Sequence, residues 1–309
     1  MKIFLHNFNP NSNSGPNKFC RQLFMVLIKE FGVKIVESQN EADLEFASIN
    51  FIKEPIKPSV VRLDGIYFNS DQDFESQNIP IKYTYDNASS AIFQTSFNKE
   101  LIEKWFGSKK TSFVINNGPD EVIIDNLKAL HLDGLEDKDI WCCASSWRPH
   151  KRLKDNLDYF CENASKDAIM IVAGANADSE IINKYSKLSG NRVFYAGELD
   201  YNTLVSLFKR ASTLVHLAFL DHCPNVVVDA QYAGCKIICS STGGTSEVVY
   251  NGRVIQEDQW NFEPIKLYDP PEMNFKNFEL VDADKKDSLR NIAKKYYEAF
   301  QKTVMACDS

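Results

Sequence analysis

Two aspartates, Asp221 and Asp229, stand eight positions apart in the stretch LVHLAFLDHCPNVVVDAQYAGCKIICSSTGGTSEVV, Leu214 to Val249. The stretch reads as a strand-loop-helix unit repeated once: a buried strand over 213–218, a polar loop over 219–224, a helix from Asn225 to Gly234, a strand over 236–240, and a glycine loop opening another helix. Asp221 falls in the loop, and Asp229 about a turn and a half inside the helix. The free N–H groups and positive dipole end of that helix point back toward the loop, where an anion such as phosphate could sit. In the second loop Gly243 and Gly244 permit close backbone approach, and Thr245 or Ser246 is placed to cap a helix with Glu247 in its first turn. The bland alternative is parallel-sheet scaffold, which also carries glycine at its turns.

Cations are available to face such an anion. The run SSWRPHKRL places Arg148 and Lys151 in a loop before a helix, and charge-assisted hydrogen bonds from two such groups to a diphosphate contribute roughly 1.5 to 3 kcal/mol each. Read alone, the same run is a solvated basic loop. Arg62, Asp64 and Asn117 fall at the carboxyl ends of strands, where open parallel sheets bind ligands, although Arg62 with Asp64 also fits a structural ion pair or turn. His6 reads more readily as a satisfied structural histidine, while His150 and His222 lie inside the anion-binding loops.

The elements that must position these residues alternate between strand and helix. KIFLH, a glycine-containing loop and a helix over Asn17 to Phe31 open the chain. VKIVES, LEFASI, SVVRLD, AIFQTS and SFVINNG read as further strands, with a surface loop over Tyr67 to Ile79 and a helix over Asn98 to Phe106. A softer, polar helical pattern follows Gly118. A second series runs through DIWCCAS, a helix over Lys151 to Cys161, AIMIVAG, a helix over Ser179 to Leu188, RVFYAG, and a helix over Tyr201 to Arg210. After an extended, proline-rich QWNFEPIKLYDPPEMNF, a helix is predicted over Asp284 to Met305, with Leu289, Ile292, Tyr296 and Phe300 at helical spacing, packing across the join between two domains. The expected domains are 1–118, 119–283 and a terminal helix and tail over 284–309.

Composition bounds the function. A chain of 309 residues with 44% hydrophobic content favours two soluble globular domains, and its net charge of -7 argues against nucleic-acid binding. The apolar runs are too short for a signal peptide or a membrane span, which places the protein in the cytoplasm and leaves peripheral membrane contact open. Eight cysteines without a C-x-x-C pair read as reduced thiols, neither zinc ligands nor disulfides. Three D-x-D triplets, Asp71 with Asp73, Asp137 with Asp139 and Asp282 with Asp284, lie in polar or turn-like contexts and read as chance, so neither a metal nor another cofactor is expected.

The succession WRPHK, FYAGEL, DHCPNVVVDAQYAGCKIICS and TGGTSEVV resembles the donor-binding half of family four retaining glycosyltransferases, in the glycosyl transferases group 1. In the first half SGPNKF resembles that family's glycine loop, VVRLDGIYF a recurring strand end, and AIFQTSFNKELIEKWFG with VINNGPD the last helix and linker. The resemblance implies the α/β GT-B fold: two Rossmann-like domains facing each other across a cleft, with a C-terminal helix crossing back to the first. It implies transfer of a sugar from a UDP- or GDP-sugar to a glycan, lipid-linked or small-molecule hydroxyl.

By this resemblance Asp221 lies near the donor sugar and reacting centre, and Asp229 binds the nucleotide ribose. Arg148 and Lys151 hold the diphosphate and stabilise the departing nucleotide. Cys223, Pro224 and Asn225 meet the sugar and phosphate, Gly244 and Thr245 belong to the donor site, and Gly15 approaches from the other domain. The family carries glutamate at both acidic positions, and aspartate is one methylene shorter, which puts reach rather than charge in question. With a first domain this short, Arg62 and Asp64 remain to line a reduced acceptor site. A sugar-nucleotide 2-epimerase of the same architecture and a non-catalytic sugar-nucleotide-binding module are the competing readings.

Overall fold

The computed structural model describes residues 1–12, 14–283 and 287–308, the last without its side chain. Asn13, Asp284 and the predicted start of the terminal helix therefore lie outside the described residues. Contacts divide the chain into two compact units: Met1–Gly118 with Phe262–Ile265 and Asp287–Ser309, and Pro119–Asn261 with Lys266–Lys286.

The first unit is built from β1 (Lys2–His6), α1 (Gly15–Phe31), β2 (Lys34–Val36), β3 (Leu44–Ser48), β4 (Ser59–Leu63), α2 (Phe74–Asn87), β5 (Ser90–Phe93), α3 (Ser96–Phe106) and β6 (Ser112–Val114). They form a six-stranded parallel sheet in the order β2-β1-β3-β4-β5-β6. Strands β3, β4 and β5 are buried along their whole length, as expected where helices cover both faces of a parallel sheet. The loop expected over Tyr67 to Ile79 is a correction: from Phe74 onward it is α2, capped by Asp73 and carrying Pro80 within it. That helix is weakly patterned, with Ile79 and Tyr83 exposed, which hid it from a reading based on periodicity.

The second unit contains α4 (Glu121–Asn126), β7 (Ile140–Ala144), α5 (Leu153–Asn163), β8 (Ile169–Ala173), α6 (Ser179–Leu188), β9 (Val193–Gly197), α7 (Tyr201–Arg210), β10 (Thr213–His216), α8 (Asn225–Ala233), β11 (Lys236–Ser240), β12 (Asn251–Ile255) and β13 (Phe278–Asp282). Its seven-stranded sheet runs β13-β12-β11-β10-β7-β8-β9, parallel except for the antiparallel β12 and β13 pair. The strand order turns outward in both directions from β7 and β10, the kind of switch point at which an open α/β sheet leaves a crevice beyond its carboxyl ends. The helix expected after the glycine loop is only a single 3-10 turn, Ser246–Val248, and Thr245 makes no side-chain cap.

The chain then returns to the first unit as α9 (Leu289–Asp308). Leu289, Ile292, Ala293, Tyr296, Ala299 and Phe300 form its apolar face and join the core of α1, β1, β3 and β4. Phe300 packs edge-on against Phe46 at 5.8 Å, and Tyr296 lies 6.1 Å from Phe19. Complete burial of one such aromatic ring contributes roughly 1.5 to 3 kcal/mol, so the terminal helix is integral to the first core. Gly118 lets it dock, since a Cβ there would lie 3.1 Å from the Leu289 Cα. No described helix is long and apolar enough to cross a membrane. All eight cysteines are free thiols, with Cys307 exposed.

Candidate active site

The second unit gathers its chemistry at the carboxyl ends of β7 and β10, which are adjacent parallel strands. After β7 the chain makes a 3-10 turn over Pro149–Lys151, and after β10 it loops to Pro224, the N-cap of α8. The two loops are tied together, because Phe219 N–H donates to the His150 carbonyl at 2.7 Å. Leu220 sits at φ 54°, a left-handed conformation that is costly for a bulky residue and places Asp221 directly after a forced turn.

Asp221 is the hub of this cluster. Its Oδ2 accepts from Lys151 Nζ at 2.6 Å and from His216 Nε2 at 3.0 Å, and its Oδ1 accepts from the His222 backbone N–H at 3.0 Å. Burial acts to raise the Asp221 carboxyl, but the Lys151 charge and the His216 hydrogen bond outweigh it and hold the group well below the usual carboxylate range. The glycine loop docks onto the same residue, with Gly244 N–H donating to the Asp221 carbonyl at 2.7 Å. Gly243 has φ 83°, and a Cβ there would come within 2.4 Å of the Asp221 carbonyl oxygen, so only glycine fits.

The two cations of the sequence motif part company with the third. Arg148 is exposed and makes no ion pair among the described residues, and Lys151 is paired but 16% exposed. Arg152 turns inward at φ 53°, buried, donating to both oxygens of Glu257 at 3.0 and 2.7 Å. Next to Lys151, His150 stacks on Tyr268 at 5.5 Å, and its buried Nδ1 has no hydrogen-bond partner. Burial, followed by the Lys151 charge, lowers His150 to about 3, and burial lowers His222 to about 4.

Asp229 lies in α8 and is 5% exposed. Its Oδ2 accepts from the Tyr201 hydroxyl at 3.0 Å and its Oδ1 from the Asp120 backbone N–H at 3.3 Å. Thr245 is fully buried, and its hydroxyl has no partner, an unusual cost for a buried polar group. Cys223 and Pro224 are buried at the start of α8, next to the half-buried Asn225.

Gly15, Arg62 and Asp64 belong to the first unit. Gly15 is the exposed first residue of α1. Arg62 was expected to line an open site, but its guanidinium is only 1% exposed. Nε donates to Tyr296 Oη at 3.1 Å, Nη2 to Asn117 Oδ1 at 2.9 Å, and Nη1 to Asp64 Oδ1, and the whole group lies 4.5 Å over the Phe19 ring. A cation this enclosed does not line an open site. Gln94 also donates to Asp64 Oδ1, leaving Oδ2 buried without a partner, and burial raises the Asp64 carboxyl despite the arginine.

Two of the D-x-D triplets have structural uses. Asp73 caps α2, and Asp139 accepts from the Trp141 indole at 2.8 Å. His131, Asp133 and Glu136 cluster on the exposed surface, away from the residues above in sequence and burial.

His216 and Tyr201, the side-chain partners of Asp221 and Asp229, stand outside the motifs. His216 had a signal, being the polar residue in an otherwise apolar strand run, LVHLAF. Tyr201 had none, since a tyrosine at the start of a helix is ordinary.

Comparison with known proteins agrees with the resemblance at the level of the glycosyl transferases group 1. Residues 116–262 match the family model of glycosyl transferases group 1, a span that contains Asp221, Asp229, Arg148, Lys151 and the glycine loop. None of the curated proteins matches the chain by sequence. Among solved structures, the chain is similar to AviGT4, a glycosyltransferase involved in avilamycin A biosynthesis, at 12% identity, TM-score 0.62, over 99% of this chain and 98% of that one. It is similar to HepE of Anabaena in complex with UDP-glucose at 15% identity, TM-score 0.62, over 98% and 92%. Sucrose-phosphate synthase from Thermosynechococcus elongatus gives 12% identity, TM-score 0.65, over 99% and 94%. At such identities the likeness is one of fold, and that fold is GT-B, with two Rossmann-like domains and a C-terminal helix.

Proposed function

We propose that the protein is a retaining glycosyltransferase that moves a sugar from a nucleotide-diphosphate sugar to an acceptor hydroxyl. The observation that carries this reading is the Asp221 hub: an ionised carboxylate bound to Lys151, on a residue whose backbone carbonyl accepts from Gly244 N–H, at the N-terminal side of α8 and inside the span matched by the family model. The donor diphosphate sits at the start of α8, met by backbone N–H groups there and by the side chains of Arg148 and Lys151. HepE of Anabaena holds UDP-glucose, so a uridine diphosphate sugar is the first donor class to try.

In the reaction, the bond from the anomeric carbon to the β-phosphate oxygen breaks, and the acceptor oxygen bonds to the same face of that carbon. The acceptor proton passes to the departing phosphate oxygen. Negative charge grows on the leaving diphosphate as the bond lengthens, so Arg148 and Lys151 bind the transition state more tightly than the ground state. Asp221 keeps Lys151 in place and lies near the cationic sugar.

Asp229 takes the ribose hydroxyls, with the Tyr201 hydroxyl as the partner they exchange with or share. Cys223, Pro224, Asn225 and the backbone of Gly244 and Thr245 complete the donor contacts. On the acceptor side the candidate is Asp64, whose side chain is 15% exposed, with Arg62 behind it. The reading uses protein cations at the diphosphate, needs no metal, and places the enzyme in the cytoplasm. The test is acceptor-dependent release of UDP from UDP-sugars: release that rises with acceptor supports transfer, whereas conversion of the sugar nucleotide without acceptor identifies an epimerase. Tight binding with neither reaction identifies a binding module.

A further inference from the structure

Resting on the donor-site reading above, we infer that His216 is a positioning residue: it fixes the Asp221 carboxylate so that Lys151 is held ready for the donor diphosphate. His216 is the last residue of β10 and only 4% exposed. Its neighbours along the strand, Leu214, Val215 and Leu217, are buried and apolar, so a polar ring at this position is unfavourable unless it has a partner. That partner is Asp221 Oδ2 at 3.0 Å, the same oxygen that accepts from Lys151 at 2.6 Å.

The two donors converge from adjacent strands, Lys151 from the turn after β7 and His216 from β10 itself. With the His222 N–H on Oδ1, the carboxylate has three of its roughly four acceptor directions filled, and neither the χ1 nor the χ2 of Asp221 is free to swing. The carboxylate offers only lone pairs, so His216 must carry its proton on Nε2. Lys151 uses one of its three ammonium donors on Asp221, and the others remain for phosphate oxygens. Without His216, the lysine and the carboxylate would move as a pair, and the ammonium would sample positions that miss the leaving group. This predicts an effect on the chemical step more than on donor capture.

The experiment compares the parent with His216→Leu, His216→Gln and Asp221→Asn. Side-chain 1H–15N spectra of the five histidines identify His216 as the signal lost in both His216 variants. That signal is expected in the Nε2-protonated form, and it is expected to shift in Asp221→Asn. With UDP-sugar and acceptor, His216→Leu is expected to lower kcat by about tenfold, the size of one charge-assisted hydrogen bond, while the donor KM changes by less than about threefold. His216→Gln, which keeps an N–H donor, is expected to restore kcat to within about threefold of the parent.

An unshifted His216 signal in Asp221→Asn overturns the contact. A parent-like kcat in His216→Leu, or equal losses in Leu and Gln variants of parent-like melting temperature, overturns the positioning role. A parent that neither binds UDP by calorimetry nor moves a sugar overturns the donor-site reading instead. The spectra still decide the contact between His216 and Asp221 in that case.

Discussion

Each unit carries a cation paired with a carboxylate at the carboxyl end of its sheet, and the two pairs differ in almost every physical respect. In the first unit the cation is enclosed: Arg62 is 1% exposed, and each of its three nitrogens has a protein acceptor. Its partner Asp64 is raised by burial and leaves one oxygen without a partner. In the second unit Lys151 and Asp221 are 16% and 15% exposed, Asp221 is lowered, and its oxygens are all in use. The first pair is closed on the protein, with a saturated cation beside an acid whose open oxygen is buried. A saturated acid beside an unsaturated cation suits a group that receives an anion. The direction of each carboxyl's shift, together with which partner has spare hydrogen-bonding capacity, distinguishes the two pairs where the sequence showed only paired charges.

The largest way to break this comparison is to remove the enclosed cation. Arg62→Ala leaves Asp64 in a buried site without its counter-charge, and urea unfolding is expected to show a loss of about 3 to 5 kcal/mol. A loss under about 1 kcal/mol would mean that the first pair is not the fixed anchor described here.

Next in size is a pH effect in the second unit. His150 is neutral and buried, and its value is lowered from 6.5 to about 3, so it is a depressed group. The stability it represents is fully present above pH 6.5 and is lost as pH falls toward 3, because the unfolded chain takes up the proton first. Relative to His150→Phe, which keeps the stack on Tyr268, the parent should lose up to about 3 kcal/mol between neutral pH and about pH 4 in urea unfolding. Parallel pH curves for the two proteins would place the histidine in solvent.

Lys151→Ala should lower sugar-transfer turnover by on the order of a hundredfold, comparable to deleting one donor to a developing oxyanion, with a smaller loss of stability than Arg62→Ala because His216 and the His222 N–H still hold the Asp221 carboxylate. Should melting fall in step with turnover, Lys151 would resemble Arg62, and the contrast between the units would collapse. The smallest effect is expected for Tyr201→Phe, which removes one neutral hydroxyl from Asp229. UDP affinity should shift by no more than about tenfold, with stability lowered by about 1 kcal/mol.

Much of the fold was legible because buried parallel strands write themselves as short apolar runs. KIFLH, DIWCCAS, AIMIVAG and the run around Leu214 all became strands within a few residues of their expected limits. What was missed had weak patterning. Helix α2 carries exposed apolar residues and an internal proline, and β13 is an exposed edge strand whose alternation is muted. The turn after Gly244 looked like a helix start because Thr245 and Glu247 suit a cap, yet Thr245 points its hydroxyl into the interior.

In the site, Asp221 with Lys151 was readable as a motif. The side of each charge that faces protein was not, because Lys151 and Arg152 are adjacent in sequence and turn opposite ways at a single left-handed residue. The same applies to Arg62, whose acceptors Asn117 and Tyr296 come from distant parts of the chain.

The central claim is that the second unit holds the nucleotide. Calorimetric titration of UDP into the parent, Lys151→Ala and Asp229→Ala tests it directly. The account predicts saturable binding by the parent and at least about tenfold weaker binding by each variant, the loss of one charge-assisted contact. Parent-like affinity in both variants, or no binding by the parent, would contradict it.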